Sequence, residues 1–125
     1  MKRKEITQIF YLLYFSKNEF VKELKEANVK RENSFQGALI KELKDLYPSA
    51  YVFKVDAKQG YPDLLILNGS KWATLEAKRS STADFQPNQE LHVERQNQMS
   101  FSRVIFPENK EVILNELSVF MGRHE

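Results

Sequence analysis

The 125-residue sequence contains no cysteine and only two histidines. Disulfide frameworks, thiol catalysis, iron–sulfur clusters and cysteine-ligated zinc are thereby excluded, and any metal must be held by oxygen. Long apolar runs are missing as well. No stretch approaches the roughly 20 apolar residues that cross a bilayer, and the opening Met1-Lys2-Arg3-Lys4 leads into Glu5-Ile6-Thr7-Gln8 instead of a secretory core. These absences predict a soluble protein of the cytoplasm with no membrane partner. A strong charge of one sign is also lacking, since the net charge is only +2. It is unevenly spread: residues 1–31 carry eight Lys/Arg against four Glu, and the remainder is slightly acidic. The basic end suits a polyanion, or serves solubility alone.

What is present is a globular balance, 42% apolar and 29% charged, in a length suited to one domain with one core. Residues 4–30 carry Ile6, Ile9, Phe10 and Leu13, then Phe20, Val21 and Leu24, at the spacing of two short helices. Glu32 to Tyr47 sets Phe35, Leu39, Leu43 and Leu46 on one helical stripe, and Pro48 stops it. Residues 51–55 read as a first strand. The aliphatic run Leu64–Leu67 predicts a second strand, expected to be the most buried, and Asn68-Gly69 predicts a hairpin into a third over Lys71–Lys78. Pro87 fits a first helical turn, so Asn88–Met99 reads as a polar helix with a thin apolar face. Phe101–Phe106 follows as a strand, and Glu108–Met121 as a last helix with Val112, Ile113, Leu117 and Phe120 inward. The domain thus comprises a helical N-terminal extension (1–31), a core (32–106) and a C-terminal helix (107–125). The order αβββαβα after the extension predicts an α/β layered fold.

Three polar features interrupt this pattern. Asp63 opens the aliphatic strand after Gly60-Tyr61-Pro62, where a turn aspartate is also common. Glu76 and Lys78 alternate with Leu75 and Ala77, so both charges point to one face of the third strand. Across the hairpin, the start of strand two lies beside the end of strand three, bringing Asp63 and Glu76 to one end of the sheet. Glu32 lies on the apolar stripe of the first helix, with Gln36 one turn later, although a glutamate at a helix start is also favoured by the macrodipole. Close carboxylates repel unless a cation compensates them, and Mg²⁺ accepts one or two carboxylates with waters and phosphate oxygens. Asp63, Glu76 and the Ala77 carbonyl frame such a site, and Lys78 faces the same phosphate. That chemistry is metal-assisted phosphodiester hydrolysis.

Pro62-Asp63, twelve intervening residues, then Glu76-Ala77-Lys78 resembles the motif of the PD-(D/E)XK nuclease superfamily. The resemblance spans roughly residues 32–106. With Glu32-x-x-x-Gln36 upstream and Gln89 downstream, it is similar to the branch of virus-type replication-repair nucleases and Holliday-junction resolvases, often encoded by phages. It implies a mixed four-stranded sheet flanked by helices and Mg²⁺- or Mn²⁺-dependent cleavage of DNA, with no organic cofactor. It further implies structure-specific cutting of branched DNA in recombination or repair by a homodimer. Asp63, Glu76 and Glu32 match metal-binding acids, Lys78 the motif lysine, and Gln89 a glutamine near the metal or phosphate. One departure concerns the first helix, where the acid of some resolvases aligns with Gln36 and Glu32 lies one turn earlier. Lys58 and Arg79 flank the motif and, with Gln36, are candidate DNA contacts; solvated loop charges are the plainer reading of Lys58 and Arg79. His92, Tyr61 and Trp72 read as surface or packing residues. Two other classes stay open at this point, a catalytically inactive nuclease-fold module that binds DNA and a protein-interaction module acting through the N-terminal helices.

Overall fold

The computed structural model describes residues 34–56 and 59–122. The helical extension expected over residues 1–31, together with Glu32 and Lys58, lies outside the described residues. The chain divides after Arg31, and every described residue belongs to the unit Glu32–Glu125.

Apolar residues three and four apart bury one side of α1 (residues 34–46): Leu39 and Leu43 are fully enclosed, and Phe35, Ile40 and Leu46 pack beside them. Four strands follow the sequence pattern closely: β1 (Tyr51–Lys54), β2 (Leu64–Asn68), β3 (Lys71–Ala77) and β4 (Phe101–Ile105). Two further helices are α2 (Gln89–Met99) and α3 (Lys110–Met121). The sheet order is β1-β2-β3-β4, with β1–β2 and β2–β3 antiparallel and β3–β4 parallel. A parallel pair cannot be joined by a tight turn, and α2 provides the crossover between β3 and β4. The architecture is therefore a mixed four-stranded sheet flanked by three helices.

The β2–β3 register pairs Asn68 with Lys71, which makes Gly69-Ser70 the two turn residues instead of Asn68-Gly69. Gly69 takes φ +63° at the first of them, where a type II′ hairpin calls for glycine. This turn fixes the register, and the register fixes which side chains share a face.

One face carries Leu64 and Ile66 of β2, Ala73, Leu75 and Ala77 of β3, and Phe101 and Ile105 of β4. These join Leu39 and Leu43 of α1 and Ile113, Leu114, Leu117 and Met121 of α3 in one apolar core. Each such Leu or Ile contributes about 1.5–3 kcal/mol by leaving water. Polar ties at the rim link the two helices: Lys110 Nζ lies 3.0 Å from Glu42 Oε2, and the Tyr47 and Ser118 hydroxyls are 3.2 Å apart.

Two further expectations are corrected. Val112 is 59% exposed, because α3 begins at Lys110 and its core stripe is Ile113, Leu114, Leu117 and Met121, with Phe120 packed at its margin against Phe101. β2 is not the most buried strand. Leu64 and Ile66 face the core, but Leu65 is half-buried and Leu67 exposed, because among the described residues no helix covers that side of β2. β3, enclosed from Ala73 to Ala77, holds that position. Among the described residues, no helix is long and apolar enough to cross a membrane.

Candidate active site

The opposite face of β3 carries Trp72, Thr74 and Glu76 in alternation, with Lys78 just past the strand end. α2 lies on this side, and its contacts with the sheet are largely polar. Thr74 Oγ1 is 2.7 Å from both Gln96 Oε1 and Ser102 Oγ, and the Ser102 N–H donates to Asn97 Oδ1 at 3.2 Å. Gln89 is the one buried residue of α2. A helix with so thin an apolar face stays docked because the sheet beneath it offers hydrogen-bonding partners.

Continuing the β2–β3 register by one residue sets Asp63 opposite Glu76. The two are bracketed reciprocally. The Asp63 N–H donates to Glu76 Oε2 at 3.2 Å, and the Ala77 N–H donates to Asp63 Oδ2 at 3.1 Å. Backbone bonds hold both strand ends in place: Val55 N–H to Asp63 O at 2.6 Å and Lys78 N–H to Ile105 O at 2.8 Å. The convergence of Asp63 and Glu76 is thus a property of main-chain pairing, not of flexible side chains.

Lys78 is only 6% exposed, and Glu76 only 1%. A buried ammonium is costly unless hydrogen bonds and a counter-charge surround it. Lys78 Nζ donates to Gln89 Oε1 at 2.6 Å and to the Asp84 carbonyl at 3.1 Å, lies 3.8 Å from Glu76 Oε1, and sits 5.0 Å from the Phe85 ring centroid. Gln89 joins the pieces. Its Oε1 accepts from Lys78 and, at 2.7 Å, from the Gln86 N–H, while its Nε2 donates to Glu76 Oε1 at 2.7 Å. The ammonium and the backbone amide are both obligate donors, so the amide orientation is fixed by its partners.

Of the expected site residues, Asp63, Glu76, Ala77, Lys78 and Gln89 come together. Gln36 is buried on the inward stripe of α1 and is not among the hydrogen-bonding partners described above. Arg79 is half-buried directly after Lys78 and makes none of the group's hydrogen bonds. Sequence reasoning missed the loop over Lys78: the Asp84 carbonyl, the Phe85 ring and the Gln86 N–H. The lone aromatic in an otherwise small and polar stretch, Ser80 to Gln86, was the available signal. It also missed the latch at Gly60, whose backbone packs against Pro87 and Asn88 at the head of α2.

Among the described residues, no group of three or more Cys, His, Asp or Glu side chains is placed to hold a metal ion. Two opposed carboxylates form a hard, all-oxygen donor pair, and that is the set a small divalent ion such as Mg²⁺ accepts when waters and substrate oxygens complete its shell. The residues present fit such an ion. No family model matches the chain, and comparison with curated proteins and with solved structures gives no significant match.

Proposed function

We propose that the chain is a metal-dependent endonuclease that hydrolyses DNA phosphodiester bonds at Asp63, Glu76 and Lys78. The observation that carries the reading is the register pairing of Asp63 with Glu76, beside a buried lysine held on the same sheet face. A lysine is almost never buried unless it is paired, and Lys78 is held on this face by Gln89, the Asp84 carbonyl and Glu76.

Asp63, Glu76 and the Ala77 carbonyl would hold Mg²⁺ or Mn²⁺, which when bound activates water and offsets charge on the phosphate. The residues of the chain do the rest. Lys78 has three N–H donors, two of them directed to Gln89 Oε1 and Asp84 O. Glu76 Oε1 lies 3.8 Å from the same nitrogen, and in this reading the third donor turns from that carboxylate to a phosphate oxygen or to the attacking water while both anchors hold. Gln89 keeps the ammonium and the Glu76 carboxylate apart and oriented. Phe85 shields the ammonium and strengthens its field at the phosphate. Two subunits acting on branched DNA, with cytoplasmic DNA as target, complete the reading by its likeness to the resolvase-type nucleases.

A second reading draws on one specific observation. The Lys78–Gln89–Glu76 chain satisfies itself, so it can also serve as a polar buttress in a DNA-binding module without turnover. Nicking of covalently closed plasmid separates the two. The nuclease reading expects strand breaks with Mg²⁺ or Mn²⁺ and none in EDTA. It also expects at least about a 100-fold loss on Asp63→Ala or Lys78→Ala with the circular dichroism unchanged. Wild-type rates in either variant would remove it.

A further inference from the structure

The face bearing Asp63 and Glu76 continues away from them along β2 and β3. Leu65 pairs with Thr74 one step further on, and Leu67 with Trp72 at the next. Among the described residues, α2 covers β4 and part of β3, and no other element lies over the β2 side. Between helix and sheet lies a cleft of about 430 Å³, with Tyr61 and Pro62 at the end next to Asp63 and with Leu65, Trp72 and Thr74 along the sheet. Arg95, Gln96 and Met99 form the α2 wall.

We propose that this cleft receives an unpaired nucleobase from the strand whose phosphate lies at Asp63, Glu76 and Lys78. The substrate is then single-stranded or locally unpaired DNA. The proposal deepens the nuclease reading and rests on it. Three observations select a base. The first is size: ligand sites run from roughly 300 to 1,000 Å³, and this cleft, at the small end, takes one nucleotide and not a duplex. The second is position. Two residues along a strand advance about 6.8 Å, so the first step beyond the carboxylates is where the nucleotide next to the reacting phosphate falls. The third is chemistry: Tyr61 and Trp72 offer aromatic surface, Gln96, whose Oε1 is held by Thr74, offers its amide nitrogen to a base edge, and Arg95, exposed at the rim, complements a backbone phosphate. Tyr61 itself is steadied edge-on by His92, with ring centroids 4.5 Å apart.

Trp72 is the sole tryptophan, so its fluorescence reports on the cleft without a label. The full chain in EDTA is titrated with a short oligo(dT) strand, with a duplex of equal length, and with an equally long strand of abasic sites. The proposal expects oligo(dT) to quench Trp72 and the other two to leave it nearly unchanged. Arg95→Glu and Met99→Asp, both at exposed positions, should weaken oligo(dT) binding roughly tenfold while the far-ultraviolet circular dichroism is retained. Equal quenching by abasic and base-bearing strands, or none by either, overturns it. DNA cleavage with a Trp72 signal indifferent to oligo(dT) removes this proposal alone. Quenching by oligo(dT) without any metal-dependent cleavage removes the nuclease reading and leaves the cleft as a base site of a binding module.

Discussion

Gln89 occupies the position on which the other side chains of the candidate site depend. It accepts from Lys78 and the Gln86 N–H and donates to Glu76, all at 2.6–2.7 Å, and the bonds to Lys78 and Glu76 are out of water. Gln89→Leu keeps the volume and removes every one of these partners, leaving a buried ammonium and a buried carboxylate short of a hydrogen bond. Losses of this kind cost about 1–3 kcal/mol, so the urea midpoint should fall with the slope unchanged. A midpoint equal to wild type would show that the network does not operate in solution. Strand alternation made Glu76 and Lys78 legible as a pair on one face, and the hairpin made Asp63 their neighbour. The Asp84 carbonyl and Phe85 were not legible, because the loop that carries them has no period from which a direction can be read.

Among elements, α3 and the Gly60 latch show how a face is chosen. Leu117 is fully enclosed and Val112 largely exposed on the same helix. Leu117→Ala should therefore destabilise by about 2–5 kcal/mol, and Val112→Ser should stay within about 0.5 kcal/mol of wild type. Similar losses from both would contradict the rotation of α3. The sequence marked Ile113 and Leu117 correctly and misjudged Val112, since an apolar residue at the first turn fits a helical stripe whether or not the sheet reaches that far. Gly60 combines φ +88° with a Cβ position only 2.7 Å from the Pro87 carbonyl oxygen. Gly60→Ala meets both obstacles. It should cost about 1–3 kcal/mol, read by thermal unfolding, and it should displace Tyr61 and Pro62, which carry the strand into Asp63. Unchanged stability would mean that the loop is not seated on α2.

For the whole molecule, the decisive feature is an asymmetry between the two sides of one sheet. Among the described residues, one side is sealed by α1 and α3 over an apolar core, and the other is covered by α2 only over β3 and β4. The order of elements sufficed to anticipate an α/β layered fold, and the motif resemblance to anticipate a mixed four-stranded sheet. The open half of the second side was not legible, because four consecutive aliphatic residues in β2 look the same whether one face is covered or two. That opening sets an accessible cleft beside buried charges. The claim at the centre of the account is that Asp63 and Glu76 together hold a divalent ion, and calorimetric titration with Mn²⁺ tests it most directly. Asp63→Asn can still accept from the Ala77 N–H and removes the carboxylate charge. Saturable Mn²⁺ binding is expected for the wild-type chain, with its loss in Asp63→Asn at unchanged thermal stability; identical heats for the two proteins would rule out a shared ion.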